Sequence, residues 1–311
     1  MAEVISISDE QNRILQLNIL ELIVEVDRIC RKNKINYSLD GGTLLGAIRH
    51  KGFVPWDDDG DVVFTREEYE RFYQACKTDL NTELFFLQDY RTDKEYRWGY
   101  AKMRLLATEV VRKGHENLKF KNGVCIDIFV NDNVPDNKVL RRLYYWNNLV
   151  IRKILYSEMG RTNADSAILR MWYALVYRII SKDTAFRIRN YWADKCNKKP
   201  TSLVSHLLFP YPKKECRYGM PSECFEEYMD IEFEGMLFKG FKQYDKYLKL
   251  LYGNYMELPP IEKRKGQLNP VVFSIKDDTI EEIAERYNAE NAKYIEQKKN
   301  WGDDVCETEI C

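Results

Sequence analysis

The chain has 311 residues, of which 45% are hydrophobic and 31% charged, and its formal net charge at pH 7 is −1. This length and apolar content suffice for one large or two ordinary domains, and the near-neutral balance excludes a nucleic-acid partner recognised by bulk charge. No run reaches the roughly 18 apolar residues of a membrane span, and the first ten residues lack the pattern of a secretory signal. The eight cysteines include no C-x-x-C pair. We therefore expect a soluble cytoplasmic protein with reduced thiols.

The chain begins with a predicted amphipathic helix over residues 9–32. Apolar residues recur there near helical spacing, and Ser8 or Asp9 is placed to cap the first turn. We expect this helix to pack under a sheet. The apolar stretch Ile35–Leu39 that follows is predicted to be a short strand.

A glycine pair follows that strand, in Asp40-Gly41-Gly42-Thr43, and precedes a short apolar helix over 44–48. Glycine permits positive φ and close approach of the backbone to a ligand, and the N–H groups at a helix start favour an anion. Most glycine pairs are simple turns. Combined with the acids that come next, this one predicts a phosphate-holding turn with contacts from Gly41, Gly42 and Thr43.

Two aspartates, Asp59 and Asp61, lead into the apolar run that ends at Phe64. Residues two apart on a strand face the same side of a sheet, so these carboxylates are predicted to converge on one ion. Hard oxygen ligands with no neighbouring cysteine or histidine cluster suit Mg²⁺ or Mn²⁺. The pattern therefore predicts a carboxylate metal site at the start of a buried strand.

Two alternatives compete with that interpretation. One is a solvated acidic turn, in which aspartate and glycine occur for local reasons. The other is a calcium loop, because Asp57, Asp59, Asp61 and Glu68 fall on positions 1, 3, 5 and 12 of an EF-hand. That loop needs glycine at its sixth position, where this chain has Val62, and the apolar run favours a strand.

Helix and strand patterns alternate after the acids. A helix is predicted over 66–76, capped by Thr65 with Glu68 at the spacing of a capping box. Strands are predicted over 84–88 and 98–112.

A third acid, Asp127, stands inside the apolar run 124–130. A lone carboxylate there is costly to bury without a partner, so we predict that it joins Asp59 and Asp61 as a metal ligand or base, rather than facing water from an edge strand. Lys102 and Arg104 lie two apart on a predicted strand. They are predicted either to reach the same phosphates or to form a solvent-facing pair.

Residues 40–61 resemble the signature of the LicD family of phosphotransferases, which have a nucleotidyltransferase-type fold. The resemblance continues at 100–104 and 126–129, and it resumes at 233–235 and 247–260. It thus covers most of the first 265 residues, with a weakly matching middle. One departure is Gly60, where an aliphatic residue is expected.

The resemblance implies an α+β fold, with a mixed sheet, flanking helices and a helical insertion. It also implies transfer of phosphocholine from CDP-choline to a hydroxyl of a cell-surface glycan or its lipid-linked precursor, with release of CMP. Transfer of ribitol phosphate, glycerol phosphate or a nucleotidyl group by the same fold remains an alternative. So does a non-catalytic binding protein.

If choline is the group moved, its quaternary ammonium calls for aromatic faces, each contributing about 0.5–2 kcal/mol. Trp56 is the nearest candidate in sequence to the acids, followed by Trp98 and Tyr100. Tryptophan is often a core residue, which is the competing interpretation for all three.

Residues 136–199 differ from the rest of the chain. They contain 14 Lys and Arg against 5 Asp and Glu, a net of +9, which leaves −10 for the remainder. Aromatic residues are interleaved with the basic ones. Basic aromatic helices suit an anionic membrane surface, which predicts peripheral contact at the inner face of the membrane. The alternative is a helical insertion with a solvated basic face and an aromatic core. No nucleic-acid motif accompanies the charge.

These patterns predict four segments: a catalytic core at 1–135, the basic insertion at 136–200, a C-terminal part of the catalytic unit at 201–266, and an acidic tail at 267–311. A helix is predicted over 245–252, ending at Gly253. A surface helix is predicted over 278–300.

Overall fold

The computed structural model describes residues 3–206, 211 and 216–301. The helices are α1 (Asp9–Asn33), α2 (Gly41–His50), α3 (Arg66–Asp79), α4 (Lys138–Asn163), α5 (Ala167–Ile179), α6 (Lys182–Cys196), α7 (Tyr244–Tyr252) and α8 (Ile280–Trp301). The strands are β1 (Ser38–Leu39), β2 (Asp61–Thr65), β3 (Phe85–Gln88), β4 (Ala101–Leu105), β5 (Glu109–Arg112), β6 (Cys125–Val134), β7 (Leu203–His206), β8 (Met220–Pro221), β9 (Tyr228–Phe233), β10 (Met236–Phe241) and β11 (Pro270–Ser274). The predicted α+β class is confirmed.

The main sheet has the strand order β1-β2-β6-β4-β3, and β7 pairs with β6 and carries β8. Strands β2 and β6 are parallel, whereas β4 and β7 run antiparallel to β6. Strands β9 and β10 form a separate hairpin. Strand β6 lies between β2 and β4, so a carboxylate on β6 can lie beside a carboxylate on β2.

Helix α1 confirms the first prediction from the sequence. Ser8 caps it and forms a capping box with Gln11, and Lys34 ends it in the left-handed conformation. Its inner face is buried against the sheet, with fully covered apolar residues at Leu20, Leu22, Ile23, Val26 and Ile29.

Gly60 allows the acidic loop to approach α1 closely. A Cβ at this position would lie 2.4 Å from Ile19 Cγ2 and 3.1 Å from Ile126 Cγ2. Any larger side chain would push the loop away from the helix or from β6. Glycine at this position, where an aliphatic residue is expected, therefore lets the backbone pack directly against Ile19 and Ile126.

The predicted strand over 98–112 is wrong. The chain breaks into β4 and β5 at Ala107, whose φ of 61° turns the backbone without a glycine. Thr108 holds the turn, because its hydroxyl donates to the Leu105 carbonyl and accepts from the Val124 N–H. Strand β5 then leaves the main sheet and pairs with β11.

Two further predictions near the glycine pair need correction. The strand expected over Ile35–Leu39 is only β1, and α2 begins at Gly41 rather than after the pair. Asp40 is its N-cap and accepts a hydrogen bond of 2.8 Å from the Gly41 N–H. Gly41 has a φ of +50°, a conformation that side chains disfavour. The glycines therefore form the first turn of a helix, not a separate turn.

The expectation that Asp59 and Asp61 lie on the same strand also needs correction. Asp59 lies before β2, which begins at Asp61, so the two do not share a ladder. The Gly60 carbonyl between them nevertheless accepts from the Asp127 N–H at 2.8 Å. The segment that carries both acids therefore still lies beside β6. Asp59 belongs to the loop before β2, and Asp61 belongs to β2 itself.

Three other helices agree with their sequence signals. Thr65 caps α3 and accepts from the Glu68 N–H. Helix α7 ends at Tyr252 before Gly253, as predicted. Helix α8 covers the predicted surface helix, although residues 302–311 of the acidic tail lie outside the described range.

Strand β6 extends past its predicted end at Val130, through three polar residues. Arg66 makes this possible, since its guanidinium donates to both Asp132 carboxylate oxygens at 2.8 and 2.7 Å. Burial alone would raise the pKa of Asp132, but Arg66 holds it below its ordinary value. The paired charge lets a polar segment continue inside the fold.

Helices α4, α5 and α6 form the insertion between β6 and β7, and part of it has its own apolar cluster around Tyr144, Ile151 and Phe186. Tyr90 stacks on Phe186 with ring centroids 4.3 Å apart. Arg97 donates to the backbone carbonyls of Ile154 and Leu155 within α4. Among the described helices, none is long and apolar enough to cross a bilayer. The six cysteines in the described part of the chain are free thiols.

Candidate active site

Parallel pairing of β2 and β6 brings two of the predicted acids together. Asp61 and Asp127 are partners in the register of these strands. Asp59 lies within electrostatic range of both. The structure thus places all three carboxylates in one cluster at the start of β2.

Helix α2 fixes the position of Asp61 through its first turn. The Thr43 hydroxyl accepts from the Asp61 N–H at 2.9 Å, and the Asp61 carbonyl accepts from the Asp40 N–H at 3.0 Å. A Cβ on Gly41 would lie 3.1 Å from Asp61 Oδ2. The missing side chain therefore leaves room for the Asp61 carboxylate at the positive end of the helix.

Gly42 has the same relation to another acid. A Cβ there would lie 2.7 Å from Asp57 Oδ2, too close for any residue but glycine without a shift. In the structure, the glycine pair thus faces the carboxylates of Asp57 and Asp61. This is a second reason for glycine at these positions, beside the predicted contact with phosphate.

Three acids of this segment, Asp57, Asp59 and Asp61, have raised pKa values. Burial, followed by repulsion from Asp127 and Asp58, raises the pKa of Asp59 to about 6. Burial and the nearby Asp59 raise the pKa of Asp57 to about 7. The pKa of Asp61 lies well above its ordinary value, because the group is buried and Asp59 and Asp127 stand beside it. Each carboxylate opposes ionisation of the next, which favours a cation as their partner.

Lys102 and Arg104 are both buried, and each has a protein partner. The Lys102 ammonium donates to Asp127 Oδ1. Burial alone would lower the pKa of Lys102, but Asp127 holds it above its ordinary value. Arg104 donates to Gln88 Oε1 at 2.5 Å and to the Gly123 carbonyl at 2.8 Å. The pair is therefore not solvent-facing, and only Lys102 contacts the acid cluster.

A cavity of about 450 Å³ lies beside the carboxylates and shares Lys102 with them. Its walls include the predicted residues Trp98, Tyr100, Lys102 and Arg104. They also include cations that sequence reasoning did not single out, namely Arg97, Arg112, Arg152 and Lys153. The cavity is therefore strongly basic as well as aromatic.

Of the three candidate aromatic residues, Trp98 and Tyr100 line the same cavity and Trp56 does not. Trp98 stacks on His115 with centroids 6.0 Å apart, and Tyr100 lies 5.1 Å from Phe129. Trp56 is not among the residues that line this cavity; it packs by the Arg264 guanidinium, 5.5 Å from its ring centroid.

Comparison with known proteins decides the family. The family model described as "LicD/FKTN/FKRP, nucleotidyltransferase domain" matches residues 34–148, a range that contains all three clustered acids. The lipopolysaccharide cholinephosphotransferase LicD of Haemophilus influenzae is 31% identical, over 82% of this chain and 94% of that protein. The chain belongs to the LicD family.

Shorter similarities extend to two uncharacterized proteins. One from Rickettsia prowazekii is 32% identical over 24% of this chain and 37% of its own length. One from Rickettsia typhi is 40% identical over 19% of each chain. The predicted LicD membership is confirmed, and with it the predicted transferase class.

The site of this LicD-family protein has the donor chemistry for a hard cation but not a finished ligand shell. Carboxylate oxygens are the ligands that Mg²⁺ and Mn²⁺ take, and Asp59 and Asp61 oppose each other's ionisation. Within the residues that the structure describes, no group of three acids, histidines or cysteines is arranged as a metal site. One carboxylate oxygen of Asp127 is occupied by Lys102. The chemistry of the cluster fits a divalent cation, whose binding remains a prediction.

Several neighbours of the candidate site in this LicD-family protein were not predicted as site residues from the sequence. Asp58 lines the cavity and accepts from the Leu268 N–H at 2.7 Å, and the Tyr247 hydroxyl donates to Asp40. The Tyr252 hydroxyl would lie 3.7 Å from a Cβ on Gly41. No local signal identifies these long-range contacts. In contrast, the high basic charge of the insertion was a usable signal for the cations of α4.

Proposed function

We propose that this LicD-family protein transfers phosphocholine from CDP-choline to a hydroxyl of a cell-surface glycan or its lipid-linked precursor, with release of CMP. The observation that carries the proposal is the acid cluster of β2 and β6 beside a basic, aromatic cavity. The Haemophilus influenzae relative, named a lipopolysaccharide cholinephosphotransferase, supports the choice of phosphocholine as the transferred group.

The cavity walls suit the diphosphate of the donor. Lys102, Arg112 and the α4 residues Arg152 and Lys153 place positive charge around one volume. Cations of this kind bind phosphate by charge-assisted hydrogen bonds. Arg104, which is held by Gln88 and Gly123, adds positive charge without needing to move. In this proposal, the Gly42 N–H and the Thr43 hydroxyl contact phosphate from the other side, whereas the Gly41 N–H already donates to Asp40.

The choline group would lie against the aromatic wall of the cavity. Trp98 and Tyr100 line it, and a ring face attracts a quaternary ammonium by about 0.5–2 kcal/mol. Trp56 does not line the cavity, so it is the least favoured of the three candidates for contact with choline.

The reaction is a displacement at the phosphorus that carries choline. The acceptor oxygen forms a bond to this phosphorus, the bond to the bridging oxygen breaks, and CMP leaves with that oxygen. The acceptor proton passes to the Asp127 carboxylate, which Lys102 positions through its hydrogen bond. When bound by Asp59, Asp61 and Asp127, Mg²⁺ or Mn²⁺ would neutralise charge on the phosphates.

Incubation of the purified protein with Mg²⁺, a glycan acceptor and separate CDP-alcohols tests this proposal. We expect CMP release and phosphocholine incorporation from CDP-choline, with less than about a tenth of this rate from CDP-glycerol or CDP-ribitol. A preference for one of those donors would instead support the alternative alcohol phosphates. Binding of CDP-choline without turnover on any acceptor would support a non-catalytic protein.

A further inference from the structure

Helix α5 exposes a complete apolar face. Five apolar residues recur at the spacing i, i+3, i+4, i+7 and i+11, which places them on one side of a helix. They are Ile168, Met171, Trp172, Leu175 and Ile179. Their exposed fractions range from 46% at Trp172 to 79% at Ile168. A stripe of this kind normally faces a core, and here it faces outward.

Helix α5 is anchored on α4 through Tyr173, so the exposure does not come from a detached helix. Tyr173 is buried, and a Cβ on Gly160 of α4 would lie only 2.3 Å from its ring. The rings of Tyr156 and Tyr173 also pack, with centroids 5.6 Å apart. The hairpin of α4 and α5 is thus closed on its inner side and apolar on its outer side.

The first half of α4 repeats the arrangement. Val139, Leu143, Trp146 and Val150 share one face of that helix, and their exposed fractions range from 56% to 67%. We call these residues and the α5 stripe the outer face of the insertion. Isolated exposed apolar residues are ordinary, but two complete helical stripes mark an interaction surface.

The surrounding charge distinguishes between occupants of this face. Arg142, Arg170 and Arg178 are exposed on the same two helices, and residues 136–199 carry a net charge of +9. A second copy that used the same face would bring two such segments together, which opposes association. An anionic lipid surface complements both properties, because it takes apolar side chains between its headgroups and attracts arginine.

We propose that the outer face of the insertion docks on an anionic membrane surface, with α4 and α5 lying in the plane of the headgroups. Docking does not depend on the proposed function. If that function holds, the face has a use, because Arg152 and Lys153 of α4 line the cavity. The same helix would then bring the cavity close to a lipid-linked acceptor.

Vesicle co-sedimentation tests the proposal with the full chain. We expect binding to vesicles of phosphatidylcholine with about 30% phosphatidylglycerol, weak binding to pure phosphatidylcholine, and weakening by salt. The double variant Met171→Asp/Leu175→Asp should lower partitioning by about tenfold or more. The matched control is Leu258→Asp/Ile261→Asp, which changes exposed apolar residues outside the insertion and should bind like wild type.

Three results would overturn the proposal. These are no binding of the wild type to anionic vesicles, equal binding of both double variants, and a stable dimer that only the α5 substitutions dissociate. Thermal melting and circular dichroism confirm that each variant is folded. CMP release measured without vesicles tests the proposed function separately, so failure of one proposal is distinguishable from failure of the other.

Discussion

The central sheet and the insertion use similar apolar side chains in opposite ways. Along β2, Val62, Val63 and Phe64 are almost completely buried between neighbouring elements. On α5, residues of the same chemical type are covered only on the side that meets α4. Burial thus depends on whether the fold supplies a covering layer, and within the part of the chain that the structure describes the α5 stripe has none.

The two regions also differ in charge. Burial and then mutual repulsion raise the pKa values of Asp59 and Asp61 at the start of β2, whereas α4 contributes Arg152 and Lys153. Arg152 and Lys153 line the cavity, and Lys102 connects its wall to the acid cluster through Asp127. In the proposed function, the acidic groups would bind a cation and the basic groups would bind phosphate.

The largest expected effect concerns stability. Phe64→Ala should cost about 3–5 kcal/mol of unfolding free energy, because the ring packs between Tyr37, Tyr69 and Phe72. Leu175→Ala on the exposed stripe should change it by less than about 0.5 kcal/mol. Urea denaturation measures both. Equal losses would show that the stripe is buried, which would remove the contrast between the two regions.

Asp61→Asn should lower phosphocholine transfer by at least about 100-fold, since it removes a charge that is expected to hold the cation. The same substitution should raise the melting temperature without metal, because burial and Asp59 oppose ionisation of Asp61. Steady-state rates and differential scanning fluorimetry measure these effects. Asp245→Asn, at an exposed carboxylate of α7, is the matched control and should change neither. Full activity in the Asp61 variant would remove the carboxylate cluster from the mechanism.

A feature of the fold or of the site can be predicted from the sequence when it depends on contacts between residues that are close in the chain. The proximity of Asp61 and Asp127 follows from two apolar runs that need a shared sheet, and helix α1 follows from its periodicity and its cap. The break at Ala107 is not readable, because a left-handed alanine is stabilised by Thr108 and its contact with Val124 rather than by a local glycine.

Other parts of the site depend on contacts across most of the chain. Asp58 bonds to Leu268 and Tyr247 to Asp40, each pair more than 200 residues apart. Local patterns carry no information on such pairs. The exposed stripe of α5 is a case in which the local pattern is informative but incomplete. Its periodicity predicts an amphipathic helix, but it does not predict that the apolar face is exposed.

His206 lies at the junction of sheet and insertion and gives a pH test. Its ring packs between Phe129 and Tyr211, and burial lowers its pKa from 6.5 to about 4. Between these values the unfolded chain binds a proton that the folded chain does not, so stability falls as pH falls. His206→Phe should remove about 2 kcal/mol of the loss between about pH 7.5 and about pH 5. Parallel stability curves for the two proteins would contradict this.

The smallest effect concerns the basic wall. Lys153→Ala should raise the KM for CDP-choline about fivefold with little change in kcat, because Lys153 lines the cavity and contributes uniform binding. Lys195→Ala, on α6 and outside the cavity lining, is the matched control. A fall in kcat alone would place Lys153 in the chemical step instead.

Arg97 gives the insertion a direct mechanical link to the cavity. Its guanidinium donates hydrogen bonds to two carbonyls of α4. The same guanidinium lies over the Tyr177 ring of α5, 4.8 Å from the ring centroid, so Arg97 contacts both helices. The next residue in the chain is Trp98, a wall of the cavity. A tilt of the helical hairpin would therefore be transmitted to Trp98 through a single peptide unit, and it would change the shape of the cavity in which we propose that the donor binds.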